Sequence, residues 1–165
     1  RDMLQEALVE IPTAALRAKV HTAAGRPAAA ELQWREAIKV YDRLLEARPD
    51  SALLREGKAT ALAYLGDRKA AAAEYALSRE LNKNPAAGTI PWGRSFEYHL
   101  AAGDSEGAIV RLDRLIQPDH GRWPNAYTQL RDEPNMKPLH RDPRVKAMLE
   151  RGARWLADMK AARKP

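Results

Sequence analysis

Apolar residues recur three and four apart along most of this chain, the spacing that puts them on one face of an α-helix. Leu16 and Val20 mark a segment over 13–24, with Thr13 placed to cap it. The densest pattern, Leu32, Trp34, Ala37, Ile38, Tyr41, Leu44 and Leu45, predicts one long helix over 27–47. Arg48-Pro49-Asp50-Ser51 stops that helix and caps the next, over 52–65, and another runs from just after Gly66 to about residue 82. Trp92, Phe96 and Leu100 stripe a helix ending at residue 102, after a loop over 84–91. Ile109, Leu112, Leu115 and Ile116 stripe the helix that Asp104 or Ser105 begins. Val145, Met148, Leu149, Trp155, Leu156 and Met159 predict a closing helix over 143–162, and Met3, Leu4, Ala7 and Leu8 a short one over 2–10, offset by Pro12. Pro118, Pro124, Pro134, Pro138 and Pro143 crowd the segment 118–143, which excludes a long helix there and predicts short turns packed as a lid.

The pattern repeats. With Gly25, Gly66 and Gly103 as anchors, alanine follows five residues later each time, as Ala30, Ala71 and Ala108. Nine residues after the anchors stand Trp34, Tyr75 and Leu112, and twelve after stand Ala37, Ser78 and Leu115. The anchors are 41 and 37 residues apart, a period at which each helix pair buries its face only by stacking on its neighbours. Glycine followed by Asp67 or Asp104 reads as a helix stop and restart, since Gly accepts the left-handed conformation and Asp caps the helix that follows.

The Leu65-Gly66-Asp67 corner, Ala71-x3-Tyr75 and Pro85 resemble the tetratricopeptide repeat family, as does Trp34-x2-Ala37-Ile38-x2-Tyr41-x2-Leu44-x4-Pro49, seven residues out of register with the Gly25 anchor. The resemblance implies an all-α fold: a helical-hairpin array, or α-solenoid, of about three repeats over 13–49, 51–85 and 91–117, then the proline-rich closing segment and a capping helix, all as one domain. Lys58 and Ala59 depart from it, standing where the family has a large and a small packing residue. The run from Pro138 to Val145 with Leu149 looks like the closing segment of repeat arrays in large bacterial regulators.

Composition agrees with helices. The 165 residues include 31 alanines and one Phe, and no apolar run reaches membrane-span length. With no cysteine, disulfides and thiolate metal sites are excluded, and both a cytosolic and a periplasmic compartment are compatible. The first ten residues lack the continuous apolar core of a signal peptide. All of the +6 net charge sits in 137–165, where nine basic residues face three acidic ones. That excess raises nucleic acid or an anionic surface as an alternative partner, through Arg144, Arg151 and Arg154 with Trp155 adjacent.

Catalytic patterns are sparse. His21, His99, His120 and His140 share no metal-ligand spacing, and there is no Gly-rich phosphate loop or nucleophile elbow. We therefore expect no catalytic residues, no metal and no cofactor. His21 and His99 each stand four residues before an anchor glycine, which suggests a packing or groove position in the repeat. The resemblance implies instead a concave groove lined by the first helix of each pair, which would bind a protein or peptide segment. The groove-facing offsets give Lys19, Glu56, Thr60, Tyr64 and Glu97, with Thr22, Ala63 and Leu100 beside them. Ala15 and Glu56 stand where the family's carboxylate clamp needs polar or basic groups, so that specificity is not expected. Trp123 and Trp155 lie near loop or terminal positions, where an indole can anchor a partner; with Arg144, Arg151 and Arg154 they form a second candidate surface.

Overall fold

A computed structural model describes residues 11–83, 95–117 and 123–162. The expected helix over 2–10, the loop over 84–91, Trp92 and His120 lie outside them. The described residues are all-α: α1 (Thr13–Ala23), α2 (Pro27–Ala47), α3 (Ala52–Tyr64), α4 (Arg68–Leu81), α5 (Ser95–Ala101), α6 (Ser105–Leu115), α7 (Trp123–Asp132), a 3-10 stretch Pro134–Arg141, and α8 (Pro143–Ala162). Where the sequence reads as one array, the contacts divide the chain into two compact units, Arg1–Gly103 and Asp104–Pro165. Among the described residues, no helix is long and apolar enough to cross a membrane.

The glycine corners explain the helix boundaries. Gly25, Gly66 and Gly103 have φ of 65°, 81° and 76°, a conformation that costs a residue with a Cβ on the order of 1–2 kcal/mol. At Gly66 the turn closes with Gly66 N–H donating to Ala63 O and Asp67 N–H to Leu62 O, both at 3.0 Å. Gly25 repeats it, with Gly25 N–H to Thr22 O at 3.1 Å and Arg26 N–H to His21 O at 2.9 Å. These bonds satisfy carbonyls that a helix end leaves open. Asp67 then accepts from Ala70 N–H, Asp104 from Gly107 N–H and Ser51 from Leu54 N–H, capping α4, α6 and α3.

In the first unit, α2 packs on α1 and α3, and α3 packs on α4 and α5. The repeat offsets are buried in each unit: Ala30, Ala71, Ala37 and Ser78 in the first, Ala108 and Leu115 in the second. One cluster holds Ala15, Ala18, Trp34, Ala37, Tyr41, Leu45 and Leu54; another holds Ala59, Ala63, Ala71 and Tyr98, with Tyr75 packed against it. Tyr75 lies flat on Tyr98, ring centroids 3.9 Å apart. The Tyr75 hydroxyl and His99 Nε2 share a hydrogen bond of 3.1 Å, so His99 is a packing residue. In the second unit, α7, α8 and the 3-10 stretch pack together around Trp123, Tyr127, Leu130, Met136, Leu139, Val145 and Met148.

Three local expectations are corrected. Thr13 is not the cap of α1; Pro12 holds that position and the helix has no side-chain cap. Leu16 and Val20 are exposed, at 48% and 60%, because α1 meets its neighbour through Ala15 and Ala18, which admit a closer approach. The proline-rich segment holds a ten-residue helix, α7, because Pro124 falls in its first turn, where no N–H is required.

Gly57 marks a close approach of α2 and α3: a Cβ there would lie 2.5 Å from the ring of Tyr41. Tyr41 is only 4% exposed and has little room to yield. Gly57→Ala gains about 1 kcal/mol of helix propensity, yet crowding of about 1–3 kcal/mol outweighs it. We expect a lower urea midpoint; a rise would mean that Tyr41 moves aside freely. Ala71, 1% exposed where α4 meets its neighbours, gives a parallel case. Ala71→Leu should cost about 1–3 kcal/mol, and an unchanged midpoint would contradict this packing.

Candidate functional site

Four of the five groove residues expected from the sequence meet in the first unit. Lys19 from α1, Glu56 and Thr60 from α3, and Glu97 from α5 line one small void of about 20 Å³, together with Ala15, Trp34, Tyr41 and Gly57. Three helices of the first unit, α1, α3 and α5, thus supply one polar cluster. Lys19 Nζ donates to both carboxylate oxygens of Glu97, at 2.6 Å to Oε1, spanning from α1 to α5. Thr60 donates its hydroxyl to Glu56 O at 2.9 Å, one helical turn back. Glu56 is 1% exposed and Thr60 6%, so both lie beneath the surface and not on an open groove wall.

Tyr64, the fifth residue, faces a different space. Its ring stacks on Trp34 with centroids 4.6 Å apart and planes within 8°. The pair forms one wall of an open cavity of about 350 Å³ at the α1–α2 corner, also lined by Thr22, Gly25, Arg26, Pro27, Ala30, Glu31 and Leu65. Trp34 lines both spaces, which makes it the partition between them. Trp34 donates its Nε1–H to Thr22 Oγ1 at 3.4 Å, and Thr22 donates onward to Ala18 O at 2.9 Å. The larger cavity was not foreseen from the sequence. Only the fold shows that Trp34 and Tyr64, 30 positions apart in sequence, stack.

The other side of α3 is occupied by charge. Lys58 follows Glu56 by two residues, about 200° around the helix. Lys58 Nζ reaches Asp42 of α2 at 2.8 Å and Glu74 of α4 at 2.7 Å, and Arg55 joins Glu74 at 2.9 Å. One side chain therefore ties three helices together.

The second candidate surface is partly assembled. In the second unit, Trp155 meets Trp123 edge-on at 5.3 Å, and the Arg151 guanidinium lies over the Trp155 ring at 5.4 Å. Trp123 is only 6% exposed and belongs to the core. Arg144 pairs with Glu106 at 2.7 Å and Asp142 at 2.9 Å, and Arg151 with Asp113 at 2.7 Å. Hydrogen bonds from Arg144 hold the Glu106 and Asp142 carboxyls below their ordinary pKa values. Arg154 is exposed, and the structure does not bring it into the Trp123–Trp155 cluster. His140 Nε2 lies 2.7 Å from Leu130 O and must donate to it, closing the end of α7.

No protein-family model, no curated protein and no solved structure matches this chain.

Burial lowers the Lys58 pKa, but hydrogen bonds and charge from Asp42 and Glu74 outweigh it, and the net shift is upward from 10.5. A raised pKa means that the charged form stabilises the fold. That contribution is complete below pH 10.5 and is lost as pH rises through the higher folded-state value. Lys58→Met should therefore lower the urea midpoint at neutral pH, and the gap from wild type should narrow above pH 10.5. A gap that stays constant across that range would remove Lys58 from the account of stability.

Proposed function

We propose that this chain is a tetratricopeptide-like repeat module without catalytic activity, which binds a segment of another protein, as part of a larger bacterial regulatory or assembly protein. The observation that carries the proposal is the convergence of Lys19, Glu56, Thr60 and Glu97 from α1, α3 and α5, next to the Trp34–Tyr64 wall. First helices of successive pairs sharing one face is the arrangement that such an array uses to build a binding surface. In this proposal Glu56 and Thr60 act from beneath, holding the face in shape. Lys19, Glu97 and Tyr64, which keep part of their surface, make the contacts. Tyrosine suits the role because it offers apolar area and a hydroxyl with few rotatable bonds. The alternative, nucleic acid or an anionic surface on α8, has less behind it because Trp123 is buried in the core and Arg154 does not join the Trp123–Trp155 cluster.

A partner captured with this domain as bait supplies the test. Tyr64→Ala should weaken its binding by about 1–3 kcal/mol while helical content by circular dichroism stays unchanged. Undiminished affinity would move the site away from this face, to the Trp123–Trp155 side of the second unit.

A further inference from the structure

The first helix pair breaks the pattern of its glycine corner at one position. Asp67 follows Gly66 and Asp104 follows Gly103, and each carboxylate caps the helix that begins there. Arg26 follows Gly25, and α2 has no side-chain cap. Pro27, the first residue of α2, has no N–H, so the Ala28 and Ala29 amides are the open donors of the first turn. A cation thus stands at the positive end of a 21-residue helix, the reverse of what stabilises it. Among the described residues, no acidic side chain pairs with the Arg26 guanidinium.

The second observation is the cavity itself. Arg26 and Pro27 stand at the edge of the 350 Å³ space whose wall is the Trp34–Tyr64 stack. Trp34 Nε1–H goes to Thr22 and the Thr22 hydroxyl to Ala18 O, which leaves mainly ring surface facing the space. The wall therefore offers apolar surface. Glu31 also lines the space, but Arg35 holds its Oε1 with two donors at 3.1 and 2.7 Å, which offsets its charge. The cavity is cationic at one end and aromatic along one side.

We propose that this cavity receives an acidic side chain and a neighbouring apolar side chain from a partner protein segment. Arg26 and the first turn of α2 take the carboxylate, and the apolar group lies along Trp34 and Tyr64. The proposal rests on the reading of this chain as a protein-binding module and names the chemistry of its partner. It also gives a reason for arginine where aspartate would cap: the helix gives up stability and keeps an open anion-receiving end.

The test is an amide-resolved NMR titration of the full chain with acetyl-Asp-Phe-Asp-amide, its Asn-Phe-Asn counterpart and its Lys-Phe-Lys counterpart. The acidic peptide should shift the Gly25 to Ala30 amides and the Trp34 indole N–H. The Asn peptide should bind about tenfold more weakly or worse, and the Lys peptide should leave those signals in place. Arg26→Asp restores the missing cap, so its melting temperature should rise while its affinity for the acidic peptide falls about tenfold or more. Equal response to the acidic and neutral peptides, no response at this corner, or full affinity in Arg26→Asp would overturn the proposal. A captured partner that loses affinity in Tyr64→Ala but not in Arg26→Asp would sink the cavity proposal alone. One indifferent to both substitutions would overturn the Tyr64 face as the binding site as well.

Discussion

Where the helices of the first unit touch, the contacting side chains are largely alanines: Ala15, Ala18, Ala30, Ala37 and Ala61 in one cluster, Ala59, Ala63 and Ala71 in the other. A methyl group at the contact lets two backbones approach closely, and many small dispersion contacts then add up over the matched surfaces. The aromatic rings fill what the alanines leave. Tyr41 lies over Gly57, Trp34 over the α1–α2 seam, and Tyr75 against Tyr98. With the separation set so small, polar groups on α3 have only two places to go. Glu56 and Thr60 turn inward to a buried cluster, and Arg55 and Lys58 turn to the acidic residues of α2 and α4.

Helix positions were legible because their signals are local. A glycine that must adopt positive φ, an aspartate three residues before an open amide, and a stripe of period 3.6 each act within a few residues. The ends of α2 and the start of α4 follow from such signals at Pro27 and Asp67. The facing of α1 was not legible. Leu16 and Val20 are the larger side chains, yet Ala15 and Ala18 are the ones buried. Hydrophobicity favours burying the leucine, whereas close approach favours the alanine, and only the identity of the neighbouring helix decides between them. The helix inside the proline-rich segment escaped for a related reason: proline disrupts a helix interior but not its first turn, so its effect depends on a boundary that cannot be seen in advance.

The candidate site was legible in part. The repeat offsets brought Lys19, Glu56, Thr60 and Glu97 to one face, and the structure brings them around one void. Their state was not legible, since burial of Glu56 and pairing of Lys19 with Glu97 depend on how tightly α1, α3 and α5 pack. The Trp34–Tyr64 wall and the unusual Arg26 corner needed the folded chain as well. Individually each residue looks ordinary; their meaning comes from being adjacent.

Most helix contacts in the first unit join elements next to each other in sequence, which keeps loop-closure entropy low and favours quick folding of each pair. The α3–α5 packing and the Lys19–Glu97 bridge are the exceptions, the bridge closing across 78 residues. Such a contact needs α1, α3 and α5 together, and where that meeting follows the rate-limiting step the bridge falls on the native side of the folding barrier. Its strength is then felt as the time the assembled face survives before opening: weakening it would steepen the loss through faster unfolding, with the folding arm of a chevron plot left almost where it was.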